Sequence, residues 1–316
     1  LKLGLPKMHF NQTGYRPLIN QLAWCLLAIG FCSSWNRQMM AQNGLIVCGA
    51  EEVFILDSDS IKNEVRKSWS WRAEDSPEIP IEGRESFRST DDCKPVGENI
   101  LITSSSGGVA LIRRGDKSCL FYTNAKNAHS ACLLPKKRIA VASSFGGDEL
   151  LVYRIEKPNG SPALPIAKIP LRGSHGVIWD HETQRLWALG SDDLLQIELV
   201  QNRTSLELKT NKKFKLPTPG GHELSRTGKP NNFFVTTDHH VYRFDTTEGK
   251  FSPDPDLADE PKVKSISVNP QTGQIVYHQA SPENWWSDTI RFVGGKEAIK
   301  LPGQRLYKIR WDSKLE

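Results

Sequence analysis

From residue 44 onward one pattern recurs six times, and this repeat constrains the fold more than any other property of the chain. A short apolar or alternating run is followed by a turn and a second such run. The pairs are NGLIVCGAE (43–51) with VFILDS, NILITSSSG (99–107) with VALIRR, RIAVASSFG (138–146) with LLVYRI, RLWALGSDD (185–193) with LLQIEL, NFFVTTDHH (232–240) with VYRFDT, and QIVYHQASP (274–282) with TIRFVG. Five pairs are preceded by a further strand ending in a turn: CKPVGE, HSACLLPKK, HGVIWDHETQ, HELSRTGKP and KSISVNPQTG. The sixth such strand, LYKIRWD (306–312), stands at the C-terminal end of the sequence. Short runs broken by Gly, Pro, Asn, Asp or Ser indicate β structure, and no long segment keeps a helical period. Six repeats of four short strands, 37 to 47 residues apart, predict an all-β fold. The expected architecture is a six-bladed β-propeller with four-stranded blades, its ring closed by the C-terminal strand joining the N-terminal blade. A seven-bladed ring or another β-sandwich is the alternative. The outer strands are the least defined, and Leu216–Pro219 and Ser252–Pro261 read as long loops.

Residues 1–41 differ from the rest. Lys2, Lys7 and Arg16 precede an apolar run from Leu22 to Cys32, and a polar patch ending at the small residue Ala41 follows. This is the order of a secretory signal peptide, and the apolar run is too short to span a bilayer. The expected organisation is therefore a signal peptide over 1–41 and a single propeller domain over 42–316, secreted or periplasmic, with no membrane span. The alternatives are lipidation at Cys32, disfavoured by the bulky Phe31 before it, and a buried N-terminal helix. The 41 Lys and Arg against 36 Asp and Glu give +5, a hint of a polyanionic partner. Without Lys2, Lys7, Arg16 and Arg37, however, 37 basic residues face 36 acidic ones, leaving +1. With no clustered basic stripe, nucleic-acid binding is not expected. Cys48, Cys93, Cys119 and Cys132 sit in strand-like runs without paired spacing and read as buried thiols, with one disulfide left open.

In a propeller, the starts of the innermost strands and the loops between second and third strands converge on one mouth of the central channel. The residues opening the innermost strands read Asp92, His129, His175, His222, Lys264 and Lys308, at spacings of 37, 46, 47, 42 and 44. Small residues, Ala128, Ser174 and Gly221, precede the three histidines. The loops Ser104–Gly107, Ser143–Gly147, Ser191–Asp193, Asp238–His240 and Gln279–Trp286 return to the same face. A polar pocket at this mouth is the functional expectation. Its structural alternative is a ring of interblade hydrogen bonds. His181, in the turn WDHETQ, falls on the opposite face.

Three chemistries suit such a set. Neutral imidazoles of His129, His175 and His222 can bind a divalent metal (Mn, Zn or Ca), with Asp92 completing the shell. Alternatively, His129, His175 or His222 acts as base in β-elimination on a uronate-containing glycan, Lys264, Lys308, Arg243 or Arg305 neutralises the carboxylate, and Tyr307 or Tyr242 protonates the leaving oxygen. Asp92, His240, Arg243, Gln279, Trp285, Trp286 and Arg305 are the expected substrate-binding residues. Ordinary two-carboxylate glycoside hydrolysis is less well supported, because Asp92 alone of the ring is acidic. No nucleophile elbow, Walker loop, dinucleotide fingerprint or HExxH occurs. The leading expectation is thus an exported, monomeric polysaccharide lyase acting on an acidic polysaccharide or oligosaccharide. A non-catalytic binding propeller and a metal-assisted hydrolase are its rivals.

The phrases HSACLLP, HGVIWD, GGHELS, VTTDHHVYRFD, VKSIS and ENWWSDTIRF, spread over about residues 88–293, resemble an uncharacterised family of secreted bacterial six-bladed propellers. More distantly, the architecture is similar to propeller-shaped polysaccharide lyases, including oligogalacturonate and ulvan lyases. That similarity implies channel-mouth histidines working with Tyr or Arg, in some cases around a metal. Those lyases' catalytic motifs do not align with this sequence residue by residue, and fold similarity alone does not fix function.

Overall fold

A computed structural model describes residues 44–57 and 65–313. The expected signal peptide over 1–41 lies outside the described residues. Among the described residues, the alternating runs form 24 strands in six four-stranded antiparallel sheets. Blade 1 contains β1 (Leu45–Gly49), β2 (Glu52–Leu56) and β3 (Lys67–Trp71). Blade 2 contains β4 (Thr90–Val96), β5 (Asn99–Ser104), β6 (Gly108–Arg113) and β7 (Cys119–Asn124). Blade 3 contains β8 (Ala128–Leu134), β9 (Arg138–Ser143), β10 (Glu149–Arg154) and β11 (Pro165–Pro170). Blade 4 contains β12 (Gly176–Asp180), β13 (Arg185–Leu189), β14 (Asp193–Gln201) and β15 (Leu206–Lys215). Blade 5 contains β16 (Glu223–Arg226), β17 (Asn232–Thr236), β18 (Val241–Asp245) and β19 (Lys250–Pro253). Blade 6 contains β20 (Val263–Val268), β21 (Ile275–Gln279), β22 (Thr289–Phe292) and β23 (Ile299–Lys300). The last strand, β24 (Lys308–Trp311), returns to blade 1 and pairs with β1 from Leu45↔Trp311 to Cys48↔Lys308.

This closure supplies blade 1 with its innermost strand and ties the two ends of the described chain into one sheet. It requires close backbone approach: a Cβ on Gly49 would lie 1.8 Å from the carbonyl oxygen of Arg305, so the glycine is needed where the chain end docks. Neighbouring innermost strands are laced together by polar side chains. Ser265 and Ser267 on β20 accept the backbone N–H groups of Ile309 and Trp311 on β24 through their hydroxyl oxygens, each at 3.0 Å.

Between blades the walls are apolar. Trp187 of blade 4 meets Phe233 and Phe244 of blade 5 at ring separations of 5.7 and 5.6 Å. Its fully buried side chain makes Trp187→Ala a loss of ~3–5 kcal/mol. Between β3 and β4 the chain forms a short helix, α1 (Ile81–Arg84), flanked by two single 3-10 turns. This segment drops Phe87 onto Trp71, edge to face at 5.3 Å. No helical period in the sequence marked it. The outer strand β19 likewise takes up Ser252 and Pro253, the first residues of the expected loop. All four cysteines among the described residues are free thiols. Among the described residues, no helix is long and apolar enough to cross a membrane.

Candidate functional site

Each innermost strand begins at the same mouth with one residue that the ladder does not pair. In β4 the register jumps from Thr90↔Ser104 to Asp92↔Thr103, passing over Asp91. In β8 it passes over His129, and in β20 over Lys264. In the other three blades this residue stands just before the first pair. His175 donates its N–H to Leu189 O at 2.8 Å, His222 to Thr236 O at 2.9 Å, and Tyr307 to Cys48 O at 2.9 Å. An unpaired extra residue breaks the alternation of the pleat and re-aims a side chain. The ring at the mouth is therefore Asp91, His129, His175, His222, Lys264 and Tyr307.

The sequence spacing finds four of these six and is displaced by one residue at Asp92 and Lys308. A bulge inserts a residue without changing the repeat length enough to be noticed. A Cβ on Gly221 would meet Gly190 O at 2.3 Å, so the neighbouring blade's backbone demands the glycine.

The six side chains touch in series. The rings of His129 and His175 stack at 4.3 Å, and His175 meets His222 edge to face at 5.1 Å. His175 Nδ1 lies 2.8 Å from Gly173 O and 3.1 Å from the Ser144 hydroxyl. His222 Nε2 lies 2.8 Å from Asp238 Oδ1 and 2.9 Å from Lys264 Nζ. His129 Nδ1 lies 3.5 Å from the Tyr307 hydroxyl and 3.7 Å from Asp91 Oδ1.

Burial sets the proton inventory of this ring. It pushes His129 and His175 well below the ordinary imidazole range, aided at His129 by His175, at His175 by His222, and at both by nearby Lys308. It lowers His222 too, against the opposing hydrogen bond to Asp238. It brings Lys264 down to about 8, although Asp238 pulls the other way. It lifts Asp91 to about 8, despite the hydrogen bonds from Ser105. The Tyr307 hydroxyl is held well above its usual value, again mainly by burial. At neutral pH the ring thus presents neutral imidazoles, a protonated carboxyl and an ammonium close to its titration point.

One step deeper, the channel is plugged by ions. Arg310 donates from Nε and Nη2 to Asp92 Oδ1 at 3.0 and 2.8 Å, and from Nη1 and Nη2 to the two Glu223 oxygens at 2.6 and 3.2 Å. Lys308 Nζ is 3.0 Å from Glu223 and 3.9 Å from Asp92. Lys94 Nζ is 3.8 Å from Asp92 and donates to Val177 O at 2.8 Å. Burial raises the Asp92 carboxyl, but Arg310, Lys308 and Lys94 outweigh it and hold the group ionised. Asp92 and Lys308 were expected to bind substrate and to take part in the chemistry. Their side chains are 1% exposed and fully engaged in tying blades 1, 2 and 5 across the axis, so they are structural.

The other expected contacts divide. Trp285 is 48% exposed and stands edge-on to Tyr307 at 5.4 Å. Phe145, 53% exposed, stands edge-on to His175 at 5.6 Å. These two aromatic rings flank the mouth; Phe145 was missed because the turn SSFGG reads as a plain loop. Trp286 carries the Arg305 guanidinium over its face at 5.3 Å. His240 lies in the rim turn, with Nδ1 3.2 Å from Ala258 O. Gln279 donates to Glu260 at 2.8 Å and to Pro261 O at 2.9 Å. Arg243 is withdrawn from the mouth: it donates to the buried Asp254 at 2.7 Å and covers Phe234.

The metal expectation for His129, His175 and His222 is not met by the geometry. Among the described residues, no three His, Cys, Asp or Glu side chains are arranged to hold a metal ion. The stacked faces of His129 and His175 are a packing arrangement, whereas a ligand set needs ring nitrogens aimed at one point.

The chain belongs to a family of unknown function (DUF6528), whose profile matches residues 23–314. No curated protein matches it in sequence. Among solved structures, a putative 6-phosphogluconolactonase from Bacteroides fragilis is similar with a TM-score of 0.51 and 10% identity, over 82% of this chain and 79% of that one. A chain of the mitotic checkpoint complex is similar with a TM-score of 0.52 and 10% identity, over 83% and 78%. At such identity the likeness concerns the fold alone.

Proposed function

We propose that this member of a family of unknown function is an exported protein whose imidazole-lined mouth performs proton transfer on an acidic saccharide, as a lyase of uronate-containing glycans. The observation that carries this reading is His222 Nε2 held between Asp238 and Lys264 at 2.8 and 2.9 Å. An imidazole nitrogen offers either one proton or one lone pair, so it serves one of these neighbours at a time. Half-buried and held neutral by its lowered pKa, His222 is a base beside a cation. In β-elimination the base takes the proton on the carbon next to the carboxylate. That electron pair becomes a double bond, the bond to the glycosidic oxygen breaks, and the departing oxygen gains a proton. His222 is suited to the first step, and the Lys264 ammonium to neutralising the carboxylate as charge develops on it. The Tyr307 hydroxyl, near His129, suits the last step. Phe145 and Trp285, exposed on either side, offer apolar faces to a sugar ring.

Incubation with a panel of uronate glycans tests this reading. Ultraviolet absorbance from an unsaturated uronate product supports it. New reducing ends without that absorbance point to hydrolysis instead. The near-complete burial of His129 and His175 favours a second reading, capture of a saccharide end at the rim without turnover. Calorimetry showing tight binding of an intact glycan, with no product, selects that one.

A further inference from the structure

A cavity of about 360 Å³ lies at the other end of the channel. Its lining includes Trp179, Arg226, Val268 and Trp311, which lie at or next to the far ends of the innermost strands that begin near His175, His222, Lys264 and Tyr307. Lys94 and Arg310 of the ion plug contribute to the same lining, with apolar walls from Val177, Leu224 and Ile266. The cavity reaches solvent where its lining includes the exposed residues His181, Glu182 and Pro270. The volume falls within the ~300–1,000 Å³ typical of small-molecule sites.

The charges behind this wall do not balance. Three cations, Lys94, Lys308 and Arg310, share two carboxylates, Asp92 and Glu223. Arg310 spends its donors on both acids, and Lys308 sits closest to Glu223. Lys94, whose nearest carboxylate oxygen is 3.8 Å away, lines the cavity beside Arg310 and makes its close hydrogen bond to a neutral carbonyl. On the wall itself, Arg226 donates to Trp179 O at 2.7 Å and lies over the ring of Phe233, while the Asp180 carboxylate caps its own turn through Glu182 N and the Thr183 hydroxyl. Glu182 is at the exposed rim. A buried cation left over after internal pairing is costly unless an anion meets it.

We infer that this second mouth is a binding site for a small amphipathic monoanion, its carboxylate at Lys94 and its apolar body between the indoles of Trp179 and Trp311. The site is independent of the imidazole mouth, so the two readings stand or fall separately.

Isothermal titration with octanoate, using octan-1-ol as the uncharged control, tests the inference. Octanoate is expected to bind one to one, and octan-1-ol ~10-fold or more weakly. Lys94→Met is expected to erase that preference. Val268→Trp, a half-buried residue of the lining, is expected to block both probes while the melting profile stays that of a folded ring, and His222→Gln to leave octanoate binding unchanged. Absence of octanoate binding, equal affinity for the two probes, or binding indifferent to Val268→Trp overturns the inference.

Discussion

The Nζ of Lys264 lies 2.9 Å from Nε2 of His222, on adjacent blades, in a ring where burial lowers both groups toward neutrality. A base and a cation in direct contact give a rate with two limbs. Activity on a uronate substrate should fall in acid, as His222 takes a proton, and in alkali, as Lys264 loses its own near pH 8. Lys264→Arg keeps the charge and should move the alkaline limb upward. An alkaline limb unmoved by that variant contradicts the assignment.

Replacing the base itself should be more damaging. His222→Gln is expected to lower kcat/KM by ~100-fold or more while urea unfolding changes little. Trp285→Ala, at the exposed rim, should instead raise KM with little change in kcat. The comparison of kcat with KM in these two variants is the check.

The ion plug makes a separate prediction about stability. Arg310→Met removes the guanidinium that hydrogen-bonds both buried carboxylates, Asp92 and Glu223, and leaves Lys308 and Lys94 beside them. The expected cost is ~3–5 kcal/mol in urea unfolding. A loss under ~1 kcal/mol would show that the channel interior is better hydrated than the side-chain burial implies.

Stability should also depend on pH in a definite direction. His129, His175 and His278 are buried and His222 is half-buried, all with lowered values, His278 down to about 4. As pH falls through ~6.5, the unfolded chain takes up protons at these positions and the folded chain does not, so stability drops. Asp91, raised to about 8, acts oppositely: the fold keeps its proton while the unfolded chain has lost it, so its contribution shrinks as pH rises from ~3.8 toward 8. Four groups against one leave a net loss of stability on acidification from pH ~6.5 toward 5. His175→Gln should flatten that slope by about one proton, which unfolding free energies measured across the window will show.

The blades were legible in the sequence because turns and alternation are local. NILITSSSG followed by VALIRR specifies a hairpin wherever it stands. The ring was legible to within one residue, since the repeat length places the strand starts but not the unpaired residue that puts Asp91 and Tyr307, rather than Asp92 and Lys308, at the mouth. The plug was not legible at all. Arg310 and Glu223 are 87 residues apart on non-adjacent blades, and nothing local to KIRW or HELS announces that they meet on the axis. The second cavity was hidden for the same reason: it is made of strand ends, which carry no motif of their own.

The most direct measurement is the absorbance of unsaturated uronate released from a panel of acidic glycans by the wild-type chain and by His222→Gln. A steady rise with the wild type, lost in the variant while its unfolding curve is retained, is the predicted result. No rise on any acidic glycan, or a rise equal in both proteins, would contradict proton transfer at this mouth.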